Sequence, residues 1–334
     1  MVVVELACRL KPGFLSSTPL TNLLKITGMS KKHPIHRPQK PAICPICRGM
    51  APWIFRHQVL LSALADMHLC SKCEYLFAAQ PRWLSKAYAR VINAMDTGCL
   101  ARAVDLRNQT ALPIFLISGG REPWLDYGAG HGVYVRLMRD IGFDFYWNDP
   151  LAENLFANGF EEPDGKKFAG VTCFECLEHF TDPLGEMKKM TSRAPWILFS
   201  TELRSESVPN PEAWLYYGWE HGQHVGFHSL KSLGVLAETL GLKLVSSGGW
   251  LHAFLPAREA ESLSARLIRD GRLSLAAWRR GEMQKLFRAS TWLRSLGRGK
   301  IVPRDFVDAI PRFLGSKTWQ DHLKIKKTKK YPPR

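Results

Sequence analysis

The sequence has no apolar run that approaches the length of a membrane-spanning helix, which needs about 20 residues. Cysteine is also scarce, with eight among 334 residues, which excludes a disulfide-rich scaffold. The first residues, MVVVELACRL, lack the basic start and the small-residue cleavage pattern of a secretory signal. We therefore predict a cytoplasmic protein with reduced thiols and no transmembrane segment.

Acidic residues are scarce only at the two ends of the chain. The formal net charge is +16, of which residues 1–43 carry +6, residues 257–334 carry +13 and the stretch between them −3. A strongly basic protein invites a nucleic-acid interpretation, but the slightly acidic centre argues against a basic binding channel. The C-terminal region, with Arg between apolar residues at helical spacing, also allows peripheral contact with a membrane surface.

Composition and patterning divide the chain into five segments. They are a disordered basic N-terminus (1–43), a zinc-ribbon-like module (44–80), an α/β domain (81–255), a helical C-terminal extension (256–315) and a basic tail (316–334). Met29 resembles an alternative translation start, in which case residues 1–28 do not belong to the native protein.

The most informative segment is a short strand, a glycine-rich turn and a helix. It reads WLDYGAGHG from Trp124 to Gly132 and continues as VYVRLMRD. Glycines allow a tight turn and let a ligand approach the backbone N–H groups at a helix start. Short apolar strands then alternate with helices as far as Leu255, which predicts a mostly parallel sheet with helices on both faces. A second strand ends at Asp149, where an acid can accept hydrogen bonds from a ribose.

A third piece, VTCFECLEHFTDP, begins at Val171 and runs from a buried strand into an acidic loop. With these three pieces in order, the chain resembles the class I S-adenosylmethionine-dependent methyltransferases. The resemblance implies a Rossmann-like fold with a seven-stranded, mostly parallel sheet. It also implies that the following residues bind the cofactor: Asp126, Gly128, Ala129, Gly130, Gly132, Asp149 and Glu178. His179 would be catalytic, beside the acceptor.

The third strand of that fold is not evident between Gly159 and Lys167. The acid that contacts adenine in the family usually follows this strand, so Asp164 is only a weak candidate for that role.

Two CxxC pairs, Cys44 with Cys47 and Cys70 with Cys73, are separated by 22 residues. This spacing is typical of a four-thiolate structural Zn²⁺ site; the alternative is a set of reduced structural thiols. The CxxC of Cys173 and Cys176 has no second pair, and we interpret it as packing in a core strand. A zinc ribbon before a methyltransferase domain resembles some sugar C-methyltransferases.

A loop rich in aromatic, acidic and histidine residues follows the predicted strand PWILFSTEL. Glu220 and His221 match the acid–histidine pair that the sugar enzymes place by their substrate, which suggests a general base. Two alternatives stay open. His221, His224 and His228 could bind a metal, or the histidines are surface residues before a helix capped by Ser229.

The sequence thus predicts a methyltransferase that acts on a small polar acceptor, most plausibly a sugar or glycan precursor, at carbon or oxygen. One alternative is an RNA methyltransferase that uses the ribbon and the basic ends. The other is a zinc-ribbon adaptor with a degenerate methyltransferase fold and no chemistry.

Overall fold

The structure, a computed structural model, describes residues 39–89, 96–270, 317 and 321. Most of the predicted N-terminal segment, the extension beyond Asp270 and most of the basic tail lie outside these residues. None of the helices within them is long and apolar enough to cross a membrane.

The described residues form twelve strands and six α-helices. The strands are β1 Ala42–Ile43, β2 Met50–Ala51, β3 Trp53–Val59, β4 Ala63–Leu69, β5 Leu76–Ala78, β6 Trp124–Tyr127, β7 Phe145–Asn148, β8 Gly170–Cys173, β9 Trp196–Ser200, β10 Gly226–Phe227, β11 Lys243–Ser246 and β12 Leu251–Leu255. The helices are α1 Leu84–Ala87, α2 Cys99–Ser118, α3 Val133–Asp140, α4 Pro183–Thr191, α5 Leu230–Thr239 and α6 Leu263–Asp270.

The central sheet has the strand order β11-β12-β9-β8-β6-β7. Strands β7, β6, β8 and β9 are parallel, whereas β12 and β11 run antiparallel at one edge. The predicted Rossmann-like architecture with a mostly parallel sheet is confirmed. Because β7 and β8 flank β6 on opposite sides, the chain reverses its strand order there, and such a switch point opens a crevice at the carboxyl ends of the strands.

The sheet has six strands among the described residues, where the resemblance implies seven. The seventh would pair with β7 in the stretch between Gly159 and Lys167. There a single parallel bridge joins Trp147 to Glu161. In this bridge the Trp147 amide donates to the Phe160 carbonyl, and the Glu162 amide donates to the Trp147 carbonyl. The segment turns at Pro163 and Gly165, so it is too short for a strand.

The N-terminal module contributes two small sheets, β1-β2 and β10-β5-β4-β3. The edge strand of the second sheet, β10, belongs to the loop between β9 and α5 of the central domain. Gly226 pairs with Phe77 and Phe227 with Leu76. The module and the central domain are therefore joined by backbone hydrogen bonds as well as by covalent connection.

Two side chains cap the starts of helices in the central domain. Ser229 caps α5. Its side chain accepts a hydrogen bond from the Ser232 amide, and the Ser232 side chain accepts one from the Ser229 amide. Asp182 caps α4 by accepting from the Gly185 amide, with Pro183 at the first helical position. The predicted Ser229 cap is confirmed.

The start of β8 packs against an indole at the start of β6. A Cβ placed on Gly170 would lie 2.2–2.7 Å from three atoms of the Trp124 ring, which is itself completely buried. The two residues are also register partners in the sheet. The indole therefore occupies the space that any larger residue at this position needs.

We expect Gly170→Ala to lower the free energy of unfolding by about 1–3 kcal/mol, because overpacking a core forces side chains and backbone apart. Urea unfolding, followed by circular dichroism, measures the change. The control is Gly234→Ala in α5, where a Cβ meets nothing within 4 Å and helix propensity predicts a gain of up to about 1 kcal/mol. Equal effects of the two substitutions would contradict this packing argument.

Two residues near the C-terminus are held against α3 by charge. The guanidinium of Arg139, 3% exposed, donates from Nε and Nη2 to the two carboxylate oxygens of Asp321 at 2.7 and 2.8 Å. Arg139 also donates to Asp144 at 2.8 Å, and Lys317 lies 3.5 Å from the same carboxylate. The buried charge of Arg139 is thus balanced by two acids, one of them far along the sequence.

Candidate active site

A cavity of about 390 Å³ lies at the carboxyl ends of β6, β7 and β8. The glycine turn, the loops after β7 and β8, and the first half of α2 form its walls. The residues that line it are Tyr88, Asp96, Cys99, Arg102, Ala103, Leu106, Asp126, Tyr127, Gly128, Ala129, Gly130, His131, Val133, Tyr134, Asp149, Pro150, Leu151, Phe174, Glu175, Cys176, His179, Phe180 and Glu186. Six of the seven residues predicted to bind a cofactor belong to the cavity or to its glycine turn.

The glycine turn has a backbone that other residues rarely adopt. Gly128, Gly130 and Gly132 have φ of 70°, 52° and 87°. A Cβ on Gly128 would lie 2.5 Å from the sulfur of Cys176, while one on Gly130 would meet nothing within 4 Å. At Gly128 the turn therefore packs against the protein with no room for a side chain, whereas at Gly130 it borders empty space. A turn that passes beneath a ligand needs both properties.

Asp149 holds the turn and the following loop together. One carboxylate oxygen accepts from the Gly130 amide at 2.9 Å, and the other accepts from the amides of Leu151 and Ala152 at 2.8 and 2.9 Å. A carboxylate has about four acceptor positions, so one remains on the oxygen that faces Gly130. Asp149 can thus accept one further hydrogen bond from a ligand hydroxyl without losing a backbone partner.

Asp126 is a buried acid whose hydrogen-bond donor, the Thr172 hydroxyl, is an uncharged group. It is 4% exposed, and it accepts from the Thr172 hydroxyl at 2.6 Å. Burial raises the pKa of Asp126 to about 7; the Thr172 bond opposes this, and the negative charge of Asp149 adds to it. A carboxylate in such a place is stabilised by a cation, so the cavity is prepared for a positively charged group next to Asp126.

The charged lining of the cavity is mostly acidic. Five carboxyl groups line it, from Asp96, Asp126, Asp149, Glu175 and Glu186, against one guanidinium, from Arg102. Arg102 is already paired, at 2.9 Å from Asp96 and 3.3 Å from Glu175, and Glu186 lies 2.6 Å from Nζ of Lys189, which leaves Asp126 and Asp149 without a cationic partner in these pairs. The excess of negative charge favours a cationic ligand and disfavours a polyanion.

The far side of the cavity carries a tyrosine–histidine pair. The Tyr88 hydroxyl and Nδ1 of His179 are 2.6 Å apart, and both residues line the cavity. The imidazoles of His179 and His224 are in edge contact at 4.9 Å, and those of His224 and His221 at 4.8 Å. Burial holds the pKa of His179 well below its usual value, so at neutral pH its ring is uncharged.

The other predicted catalytic residues lie behind this pair. Glu220 is exposed, and the cavity lining includes neither Glu220 nor His221. His221 is half-buried, and its Nδ1 accepts from the Gln223 amide at 3.1 Å. Burial lowers the pKa of His221, while the charge of Glu220 raises it. His221 thus lies outside the lining, linked to His179 through the ring of His224 and acted on by the charge of Asp96, which does line the cavity.

Glu178, expected from the resemblance to contact the cofactor, is also outside the lining. It is completely buried in a short 3₁₀ turn, Leu177–His179, which directs Glu178 inward and His179 to the cavity. Burial raises the pKa of Glu178 to about 8.

Sequence reasoning missed four residues of the cavity. Tyr88 is 91 positions from His179 and sits in no recognisable motif. Arg102 and Glu175 form an ion pair across the cavity, and Glu175 has an unusual φ of 54°, a strain that often marks functional sites. Cys176, which we interpreted as a packing residue, lines the cavity and contacts the glycine turn.

The histidines of the loop do not gather as the metal alternative requires. His228 is completely buried and lies against the Tyr75 ring at 4.6 Å. Among the residues described, the histidine-containing group that could hold a metal joins His224 to Glu178 and His179, rather than to His221 and His228.

The four cysteines of the N-terminal module converge. All four sulfurs lie within 4.8 Å of one another, with Cys44 Sγ 3.6 Å from Cys73 Sγ and Cys47 Sγ 3.4 Å from Cys70 Sγ. A tetrahedral site with Zn–S bonds of about 2.3 Å spaces its sulfurs by roughly 3.8 Å. All four thiols are free. The residues present therefore fit a four-thiolate metal.

The two CxxC loops have matching backbone geometry. In each, the amide of the residue four positions on, Arg48 or Glu74, donates to the carbonyl of the first cysteine at 3.0 Å. Both residues have positive φ, 59° and 63°. These repeated turns direct two sulfurs each to a common point.

Comparison with known proteins gives one family match. Residues 100–247 match the family model described as "Methyltransferase domain", and no curated protein matches the sequence. The similar solved structures include magnesium protoporphyrin IX methyltransferase from Synechocystis PCC 6803 with bound SAM, at 13% identity over 51% of this chain and 88% of that chain, with a TM-score of 0.31. They also include 1,6-didemethyltoxoflavin-N1-methyltransferase from Burkholderia thailandensis, at 14% identity over 65% and 97%, with a TM-score of 0.38. The family match confirms the predicted methyltransferase domain and, with it, an enzyme.

Proposed function

We propose that this protein, whose residues 100–247 form a methyltransferase domain, moves a methyl group from S-adenosylmethionine to a small polar acceptor. The observation that carries the proposal is the cavity at the sheet's switch point, with an open glycine turn and with acids as most of its charged lining groups. S-adenosylmethionine carries a sulfonium and an ammonium group, and acidic side chains in the cavity would stabilise both positive charges.

On the cofactor side, each residue has a distinct task. The backbone of Gly128 to Gly132 passes under the methionine part, and Asp126 receives the ammonium group. Asp149 accepts one ribose hydroxyl with its remaining acceptor position. The sulfonium supplies a reactive methyl group, so the protein's main work is to align the acceptor with it.

On the acceptor side, His179 is the catalytic residue that the geometry favours. It lines the cavity, and its ring is uncharged at neutral pH because burial lowers its pKa. Tyr88 fixes the ring through Nδ1. The ring of His224 contacts that of His179, and the ring of His221 contacts that of His224. Neither His224 nor His221 lines the cavity, so Glu220 and His221 would act on the acceptor through other residues.

We favour a sugar or glycan precursor as the acceptor. The acceptor would lie where Tyr88 and His179 line the cavity, beyond the residues assigned to the cofactor. The cavity's apolar walls, Tyr88 and His179 offer ring contacts and hydrogen bonds suited to a hydroxylated ring. An RNA acceptor is disfavoured, because the described lining of the cavity holds one guanidinium, that of Arg102, and it is already paired with Asp96 and Glu175.

Four thiolates of Cys44, Cys47, Cys70 and Cys73 are the ligands we assign to a structural Zn²⁺. Four cysteine ligands complete a tetrahedron and leave no open position, so the metal holds the module together and takes no part in methyl transfer.

The raised pKa of Asp126 predicts how cofactor binding depends on pH. Below pH 7 the free protein carries Asp126 protonated, and an ammonium group must displace that proton to bind. By linkage we expect the affinity for S-adenosylmethionine to fall about tenfold from pH 7.5 to pH 6. Isothermal titration calorimetry in buffers of different ionisation enthalpy measures both the affinity and the released proton.

The matched control is Asp126→Asn, which keeps the shape but has no proton to lose. It should bind more weakly at pH 7.5 and show little dependence on pH over this range. A wild-type affinity that is flat with pH would overturn the role of Asp126.

The acceptor is identified by labelling. Cells with and without the protein are fed methionine with an isotope-labelled methyl group, and small molecules and RNA are analysed separately. A labelled sugar or glycan precursor that depends on the protein supports the proposal, and labelled RNA contradicts it. A protein that does not bind S-adenosylmethionine at all would favour the adaptor alternative.

A further inference from the structure

We propose that Glu178, His179 and His224 form a binding site for a divalent transition-metal ion at the edge of the cavity, separate from the four-cysteine site. One ligand atom from each residue lies within 4.8 Å of the others. Two imidazoles and one carboxylate form a ligand set that suits such ions and leaves coordination positions open. The inference does not depend on the methyl transfer proposed above.

The strongest evidence is the state of Glu178. Its side chain is completely buried, and no hydrogen bond of good geometry reaches either carboxylate oxygen, although the hydroxyls of Tyr216 and Thr201 lie close enough to lower its pKa. Its nearest basic neighbour is Nε2 of His179, 4.0 Å from Oε1. Leaving a buried carboxyl group without a partner is costly, and the carboxyl points toward the two imidazoles. A ligand between these groups satisfies it.

The two histidines are oriented as metal ligands usually are. Nδ1 of His224 lies 2.6 Å from the Tyr216 carbonyl oxygen. A carbonyl oxygen only accepts, so Nδ1 carries the proton and Nε2 has a free lone pair. Nδ1 of His179 is likewise engaged, at 2.6 Å from the Tyr88 hydroxyl. A second hydrogen bond that fixes the ring is the common support of a metal-binding imidazole.

The backbone holds the three residues in this arrangement. The amide of Val225, next to His224, donates to the Glu178 carbonyl at 2.8 Å, and Gln223 donates from its side chain to the Ala87 carbonyl at 3.1 Å. The loop that carries His224 is thus tied to the turn that carries Glu178 and His179. The ligand positions are set by packed backbone and do not rely on mobile side chains.

The open positions of the metal would be filled from the cavity, which His179 lines. An acceptor oxygen bound there would lie beside the Tyr88 hydroxyl. A metal held by Nε2 of His179 would occupy the lone pair of that nitrogen, so the general-base role proposed above belongs to the protein without this metal. The proposed site therefore specifies an acceptor with a hydroxyl or carbonyl oxygen near the methylated atom.

The test uses the purified full-length protein with its four-cysteine site loaded with Zn²⁺. Mn²⁺ is added and followed by electron paramagnetic resonance, since Mn²⁺ prefers nitrogen and oxygen ligands to thiolates. We expect saturable binding of one Mn²⁺ per chain. Glu178→Gln should weaken this binding about 100-fold or more, given that even outer-shell changes cost 10–100-fold.

His224→Gln serves as a second variant in case Glu178→Gln does not fold, and should weaken binding similarly. His57→Gln, an imidazole on β3 outside the cluster, should bind Mn²⁺ like the wild type. Each variant is also checked for S-adenosylmethionine binding. Wild-type protein that binds S-adenosylmethionine but neither Mn²⁺, Co²⁺ nor a second Zn²⁺ would overturn the metal site and leave the methyl transfer standing. Metal uptake without S-adenosylmethionine binding would do the reverse.

Discussion

Replacement of His179 by Gln is expected to lower the turnover number about 10²- to 10⁴-fold, the range that a positioned acid–base group contributes. His179 is the imidazole that lines the cavity beside Tyr88. Gln keeps a hydrogen-bonding side chain of similar length but cannot take a proton. Affinity for S-adenosylmethionine should change little, because the glycine turn, Asp126 and Asp149 remain. Steady-state kinetics with the identified acceptor and calorimetry with the cofactor measure the two quantities.

His221→Ala is the informative comparison. If Glu220 and His221 are the base, as the sequence predicts, this variant loses as much activity as His179→Gln. The rings of His224 and His179 separate His221 from the cavity, so we expect a smaller loss, of the order of tenfold. Equal losses would return the assignment to His221. Full activity of His179→Gln would remove His179 from the catalytic residues.

Loss of the metal from the four-cysteine site should lower turnover about 100-fold, even though the site is outside the cavity. Strand β5 of the module pairs with β10, and the amide of Ala78 donates to the Val225 carbonyl at 2.8 Å. Val225 follows His224 directly. If β5 moves when the metal is lost, the loop that carries His221 and His224 moves with it. A displacement of about 1 Å at a reacting group lowers the rate by a factor on the order of 10².

The paired variants are Cys73→Ala and Cys173→Ala. Both thiols are completely buried, but only Cys73 belongs to the four-sulfur cluster. Cys73→Ala should lose zinc, measured by elemental analysis, and should lose turnover while it still binds S-adenosylmethionine. Cys173→Ala should keep its zinc. A zinc-free Cys73→Ala protein with wild-type turnover would show that the module does not position the histidine loop.

The sequence was informative where a function is built from consecutive residues. The glycine turn, Asp126 just before it and Asp149 at the end of the next strand are fixed by local strand–turn–helix geometry. The two CxxC loops are local in the same way, and their 22-residue separation is bridged by the β3–β4 hairpin. In both cases the pattern specifies the geometry before any long-range contact forms.

The rest of the site depends on contacts between distant parts of the chain. Tyr88 reaches His179 across 91 positions, and Arg102 reaches Glu175 across the cavity. The pairing of β10 with β5 joins two domains through two residues, Gly226 and Phe227. Two residues are too few to show alternation, so no periodicity could reveal this strand. Similarly, the seventh strand is reduced to one bridge at Glu161.

The ion pairs of Arg139 bear on the large positive charge of the C-terminal region. Asp321, one of only seven acids in residues 257–334, is held by a buried guanidinium on α3. Because this acid is engaged by Arg139, it does not offset the basic residues of its own segment of the chain.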